Sequence, residues 1–548
     1  MKKVRATMAI MLAAAILFCA CQSSTPPASS SSAESSSALV ESSSADASSS
    51  EAPEGAGPVL EGSYDLSVEL FDRGVAGQLP ADKSFHTDWI RENFAKEYPD
   101  INISYVLVPR AQENDKLNIL MASGEAPDVC LTYNSDGLYN FVKQGGITEL
   151  TDLLVQYGPN LQTFLADSLP YGVFDGKQYA IPAKRVNLAR HGSYIRKDWL
   201  DKVGLPVPST TEEFYETMVA FKEQDPGGFG SANIPFAINA DFNNAVWPFS
   251  TIMDSFITEM SDEDFYCLPI YLWPGFKDSI RFMNKMYNND LINLDFPLDN
   301  DKTIYKELIA QGKVGAFINN TGFPLGNGAD AALTVLKQNV PGAELTVMDP
   351  FVNYEGKTRK ATYEPVGIYT FVPSFSKVPE AAMVYVDWIS RDDNRFFLQN
   401  GEEGVHYEMI DGLPIPLDVP DEDPRKMSPT TIDVTLTTNG QDLGDSDLNA
   451  RMFALTYADK AQSDLYEQEY ALSIKDGYLL PRFDRPIEAQ MKYVSVLRNF
   501  ESELVVKSIA ASEADFDKVF DALIEEYLSI GAQEVIDEKR IAYAEMIG

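Results

Sequence analysis

LSVELFDRGVAGQLPADKSFHTDWIRENFAKEYPDINISYVLVPRAQENDKLNILMASGEAPDVCL (66–131) is the stretch that decides the fold class. Leu66, Val68 and Leu70 alternate with polar residues, Ile101, Ile103, Tyr105 and Leu107 likewise fall at alternate positions, and each set reads as a strand with one buried face. Between them, Trp89 to Tyr98 reads as an amphipathic helix that Pro99-Asp100 ends. A second helix runs to Ser123 and closes at Gly124, and Asp128 to Leu131 forms the third strand. The order is βαβαβ, which predicts a mostly parallel sheet with helical crossovers. The loop from Phe71 to Phe85 carries Gly74 and Gly77.

Downstream, YGVFDGKQYAIPAKR (171–185) carries the hairpin turn Asp175-Gly176 between two apolar pieces. Pro208 and Ser209 lead to Thr210, with Glu213 three residues on, a capping box that opens a helix. Phe214, Met218 and Phe221 line one face of that helix, and DPGG (225–228) stops it. The same periodicity predicts helices at Lys277–Asn288, Ile304–Gln311, Glu380–Ser390, Arg451–Ser473 and Asp484–Glu501. The body is therefore an α/β protein with long helices in its second half.

Upstream, Lys2, Lys3 and Arg5 precede an apolar run from Ala6 to Ala20, the n-region and h-region of a secretory signal. The run is shorter than the roughly 20 apolar residues a spanning helix needs. The local sequence LFCAC (17–21) resembles a lipobox, in which a small residue precedes the cysteine that is lipidated. Cys21 is the acceptor, because bulky Phe18 stands before Cys19. Residues 1–20 are thus expected to be a lipoprotein signal peptide. From Cys21 to residue 62 the chain is dominated by Ser, Ala, Pro and acidic residues, in the run QSSTPPASSSSAESSSALVESSSADASSSEAPEGAGP (22–58). Such a segment cannot bury enough surface to offset its ordering entropy and is expected to be a tether. The protein would then sit on the extracellular face of the cell membrane, held through its lipid.

The 45% hydrophobic and 11% aromatic content allows a large core in the rest of the chain. Acidic residues outnumber basic ones 82 to 44, a formal charge of −38, which disfavours nucleic acid as a partner. Cys130 and Cys267 are either a disulfide or two buried thiols. With no GxSxG, HExxH, P-loop or CxxC, and only His86, His191 and His406, no catalytic or metal constellation stands out, and no cofactor is expected. Asp445, Asp447 and Asn449 mimic a calcium loop, but Ala450 and Thr456 stand where Gly and Glu belong, so this reads as a surface loop.

Four segments together resemble the family 1 extracellular solute-binding lipoproteins of ABC importers. They are YIRKDWLDKVGLPVPSTTEEFYETMVAFKEQDP (194–226), YGVFDGKQYAIP (171–182), GKVGAFINNTG (312–322) and EEGVHYE (402–408). The resemblance implies a periplasmic-binding-protein-like fold of two α/β lobes with a hinge and a ligand cleft between them. On this reading 63–183 with 369–401 form one lobe, and 184–368 with 402–548 the other. Chain crossings are placed at Ile181–Arg185, Glu364–Thr370 and, loosely, Glu402–Tyr407. The implied function is non-enzymatic capture of a sugar or oligosaccharide and delivery to a membrane permease, by a monomer. A tethered carbohydrate-active enzyme, or a peptide receptor of the same fold, is the alternative.

Sugars present C–H faces that aromatic rings pack and hydroxyls that polar side chains bond. Tyr133, Asn134 and Asp136 follow a strand's carboxyl end, where open α/β sheets hold ligands. Trp247, in NNAVWPFS (243–250), is the stacking candidate, with Trp273 behind it. Asn319, Asn320 and Thr321 end a strand, and face the cleft or cap the next helix. Lys184, Arg185 and Glu364 lie at crossings, where they bind ligand or pair across the hinge. Glu403, His406 and Tyr407 touch ligand or hold the hinge. Trp89, Trp199 and Trp388 read as core.

Overall fold

Tyr64–Asp72 pairs in parallel with Ile101–Pro109, in register from Tyr64 opposite Ile101 to Asp72 opposite Pro109. In this computed structural model the residues described are 60–73, 80–240, 242, 249–326, 331–349, 351–420, 423–427, 433–456, 460–483 and 485–548. Cys21, the signal and Trp247 lie outside them, as does the tether up to residue 59. Val68 bridges in parallel to Val129, just before the strand Cys130–Thr132, so the three alternating stretches share one βαβαβ unit. Helix Phe85–Glu97 starts at a capping box, in which Ser84 and Thr87 exchange side-chain and backbone bonds.

Beyond this unit the sheet is mixed rather than mostly parallel. Its order is Thr438–Asn439, Ile181–Arg185, Val366–Phe371, Cys130–Thr132. Val366–Phe371 is antiparallel to both neighbours. The reason is the route of the chain: this strand returns from the second body instead of arriving through a helical crossover, so it enters from the opposite end. One face buries Leu66, Val68, Ile90, Phe94 and Trp388, and the other Leu138, Ile147 and Phe371. Helix Pro379–Ser390 is buried along nearly its whole length. Its Asp387 accepts bonds from the backbone N–H groups of Asn160 and Leu161, satisfying a helix start.

The second body is built on the sheet Leu345–Met348, His191–Arg196, Val314–Asn320, Ile234–Ala237, in that order. Phe214, Met218 and Phe221, the apolar stripe read from the sequence, are fully buried against it, with the rings of Phe214 and Phe236 edge to face at 5.4 Å. Thr210 caps their helix by accepting from Glu213 N–H. The Glu213 carboxylate reaches back to Ser209, one residue before the expected partner. Helices Phe276–Asn288, Glu488–Ala510, Phe516–Tyr527 and Gln533–Ile547 pack into the same core.

The chain leaves the first sheet between Arg185 and His191 and re-enters it between Ala361 and Val366. Its last departure lies between Asn439 and helix Ser446–Thr456, not near Glu402–Tyr407 as expected. The described residues of 402–439 stay with the first body because His406 packs on Phe85 at 4.8 Å and Val434 and Leu436 enter that core. Lys184 bonds Asp442 at 2.9 Å, tying the first passage to the last.

Two helix expectations shift. The single helix expected at Arg451–Ser473 is two, Ser446–Thr456 and Ser463–Ile474, and the Thr456 hydroxyl bonds back to the Met452 carbonyl at the end of the first. The helix expected at Asp484 starts at Glu488, because Pro486 biases Arg485 away from helical backbone. Its first N–H groups are capped from afar by the Glu538 carboxylate, at 2.8 Å to Glu488 and 2.6 Å to Ala489. Cys130 and Cys267 are buried, free thiols, which resolves the choice left open. Among the described residues no helix is long and apolar enough to cross a membrane.

Candidate ligand-binding cleft

Between the two bodies lies a cavity of about 350 Å³. The first body contributes Ser135 and Asp136 from the first turn of helix Ser135–Lys143, Tyr139 one turn on, and Phe174 and Tyr369. Glu364 lines it from the return passage. From the second body come Phe265, Tyr266 and Trp273, the loop around Arg482 and Phe483, and Lys539. Rings and charged groups thus meet in one place, the mixture expected of a small-molecule site.

Trp273 is held by its indole N–H, which donates to the Leu268 carbonyl at 3.1 Å, and by Phe265, whose ring centroid is 5.4 Å away. Phe265 and Trp273 also wall a second cavity of about 310 Å³, which Asp254, Arg359 and Tyr478 line as well. Burial raises the Asp254 carboxyl to about 7, and the Tyr478 hydroxyl donates to it at 2.9 Å. Burial likewise raises Asp136, against which the positive charges of Arg498 and Lys539 act. Tyr369 is pushed up to about 12, by burial first and the Glu364 charge next.

Of the candidates read from the sequence, Asp136, Glu364 and the secondary candidate Trp273 line the cavity. Asn134 sits beside it but spends its side chain on structure, accepting from Gly137 N–H at 3.0 Å as the helix cap and donating to Asn114. Tyr133 is held away, stacked on Phe71 at 5.8 Å with the Arg110 guanidinium 4.1 Å over its ring. Arg185 donates to the Val366 carbonyl at 3.3 Å and lies 4.5 Å over Tyr363, at the passage rather than on the cavity wall. Asn319 and Asn320 are opposite Gly192 and His191 in the second sheet, and neither lines the cavity.

His406 is buried, accepting from Glu402 N–H at Nδ1 and donating from Nε2 to the Arg425 carbonyl at 2.7 Å. With Glu403 bridged to Tyr407 and Tyr407 packed on Phe396, EEGVHYE braces the first body. Neither Glu403 nor His406 reaches the cleft, because both ring nitrogens and the turn are committed to this loop. Trp199 and Trp388 are buried core, and Trp89 is half-buried with its ring on Phe397. Asp445 caps helix Ser446–Thr456 by accepting from Asp447 and Leu448 N–H. Among the described residues no cluster of acidic, His or Cys side chains fits a metal ion.

Sequence reading missed Arg482, Phe483, Tyr266, Tyr139 and Lys539. The one local sign was YLLPRFDRP (478–486), a proline-bounded loop that mixes rings and cations ahead of a long helix.

Residues 76–395 match the family described as bacterial extracellular solute-binding protein. The chain is 27% identical over 363 residues to lipoprotein LipO of Bacillus subtilis, which spans 64% of this chain and 69% of that protein. It is 31% identical over 310 residues to YtcQ of the same organism, named a polygalacturonan/rhamnogalacturonan-binding protein, spanning 55% of this chain and 60% of that one. The chain thus spans less than two thirds of YtcQ. The fold is similar to that of an extracellular solute-binding protein from Bifidobacterium longum subsp. infantis, with TM-score 0.63, 19% identity, and 89% and 99% of the two chains covered.

Proposed function

Because the chain belongs to the bacterial extracellular solute-binding proteins, we propose that it captures a sugar or oligosaccharide between its two bodies and hands it to an ABC importer permease. The observation that carries this reading is the cavity itself, which sets the Phe265–Trp273 ring pair opposite the Asp136 and Glu364 carboxylates. Rings of this kind pack sugar faces, and carboxylates accept from hydroxyls. The name of YtcQ supports a carbohydrate ligand, and hinge closure around a ligand is a known way for two lobes to trap it. Trp247, outside the described residues, is a further stacking candidate on this reading.

The same reading has the mature protein act as a monomer without catalysis, lipid-anchored through Cys21 at the outer face of the cell membrane, with residues 21–62 as its tether. The relative named lipoprotein LipO supports the anchor. A thermal-shift screen over di- to tetrasaccharides tests the function. A binder gains stability with ligand by mass action and leaves it unaltered. A screen in which no carbohydrate raises the melting temperature rejects the proposal.

A further inference from the structure

Acidic residues outnumber basic ones 82 to 44, so a guanidinium in this chain rarely lacks a carboxylate. Of sixteen described arginines, eleven have a carboxylate oxygen within 4.0 Å. The other five are Arg185, Arg190, Arg451, Arg482 and Arg498, and of these Arg482 lines the cavity. On the wall, Arg482 is held, among the described residues, by the Tyr171 carbonyl and ring. The Arg498 charge acts on Asp136. Arg185 and Arg190 lie 4.5 and 5.8 Å from the Tyr363 ring, beside Glu364.

Lys539 lines the same cavity without an ion pair. Burial lowers its pKa, against which the charges of Asp136 and Glu501 act from beyond ion-pair distance, so its ammonium is partly stripped of water without a carboxylate in direct contact. Arg485, also on the wall, is different: Glu538 and Glu545 already neutralise it.

We propose that the ligand is an anionic oligosaccharide, whose acidic groups are met by Arg482 and Lys539 while Asp136 and Glu364 accept its hydroxyls. This rests on the carbohydrate reading above. A neutral sugar satisfies the two carboxylates but brings no counter-charge into direct contact with Arg482 or Lys539 in a closing, drying cleft. A uronate satisfies both sets. Charge-assisted bonds from Arg or Lys to a carboxylate are roughly twice as strong as neutral ones, and the guanidinium fork matches a carboxylate bidentately.

The test is calorimetry on the purified full chain in detergent, with trigalacturonate, trimannuronate, 3′-sialyllactose and a sulfated chondroitin tetrasaccharide against maltotriose, raffinose and kestose. The carboxylate-only probes and the sulfated one separate the two sources of negative charge. The expected result is that an acidic glycan binds, that Arg482→Gln and Lys539→Gln each weaken it about tenfold or more, and that Arg482→Lys recovers part of the loss. Arg451→Gln, remote from the cleft, leaves the affinity unchanged. Binding of neutral glycans alone, or equal affinity of an acidic glycan for wild type and both Gln variants, overturns the proposal and leaves the carbohydrate reading standing. No binding of any glycan overturns that reading instead.

Discussion

Arg482 Nη2 donates to the Tyr171 carbonyl at 3.0 Å, and its guanidinium lies 4.8 Å from the centre of the Tyr171 ring. Tyr171 precedes a hairpin of the first body, and Arg482 precedes the long C-terminal helix of the second. A second link, the ion pair Lys143–Glu488, spans the same gap. The two bodies therefore touch at the cleft, through contacts that a hinge motion would make or break.

Removing the outer link should shift that motion. Both Lys143 and Glu488 are exposed, so their pair is weak and salt-screened. The double variant Lys143→Ala, Glu488→Ala is expected to raise the ligand-free radius of gyration in small-angle scattering. Added ligand should bring both proteins to the same smaller value. An unchanged ligand-free radius would mean that this pair does not hold the bodies together.

Asp136 and Asn134 sit two residues apart and should behave oppositely. Asp136→Ala removes a wall carboxylate, and a hydrogen bond to a charged group is worth roughly 1.5–3 kcal/mol. Affinity should therefore fall about tenfold or more, since about 1.4 kcal/mol is a factor of ten, with little change in melting temperature. Asn134→Ala loses the helix cap, about 0.5–2 kcal/mol of stability, and should lower the melting temperature while sparing affinity. Calorimetry and thermal melts on both variants check the pair.

That contrast shows where sequence reading works. The βαβαβ start, the cap at Thr210 and the Phe214–Met218–Phe221 stripe are local patterns, and their elements form where the pattern ends. His406 and Arg482 are decided by distant partners. Nothing within EEGVHYE says that its imidazole will meet Phe85 and the Arg425 carbonyl and so belong to the loop rather than to the cleft. Nothing around Arg482 says that Tyr171 will hold it on a wall shared with Asp136. The mixed sheet was hidden for the same reason, since strand direction follows from the order of passages between bodies.

A buried carboxyl gives the second body a pH signature. Burial raises Glu469 from 4.5 to about 8, against the bonds it accepts from Ser473 and Gly322. The folded form thus holds a proton that the unfolded form releases above 4.5. Its stabilising share is fully present below pH 4.5 and is lost as pH rises through 8. Glu469→Gln keeps the shape and is neutral at every pH. Melting temperatures of wild type and variant should be close at pH 5 and diverge by pH 9, with the variant higher. Parallel curves would show that Glu469 does not titrate between these values.

Cys21→Ala tests the anchor. The variant should be released into the medium or accumulate as unprocessed precursor, and metabolic labelling with a fatty acid should fail. Normal labelling would place the lipid elsewhere.

The central claim, a receptor that holds a carbohydrate without altering it, is tested most directly by titrating the purified chain with the oligosaccharide that the thermal screen selects and then analysing the recovered sugar. The account predicts one saturable site per chain, loss of about tenfold or more in affinity in Asp136→Ala, and a sugar recovered at its original length. A shortened sugar, or a binding isotherm that Asp136→Ala leaves untouched, would contradict it.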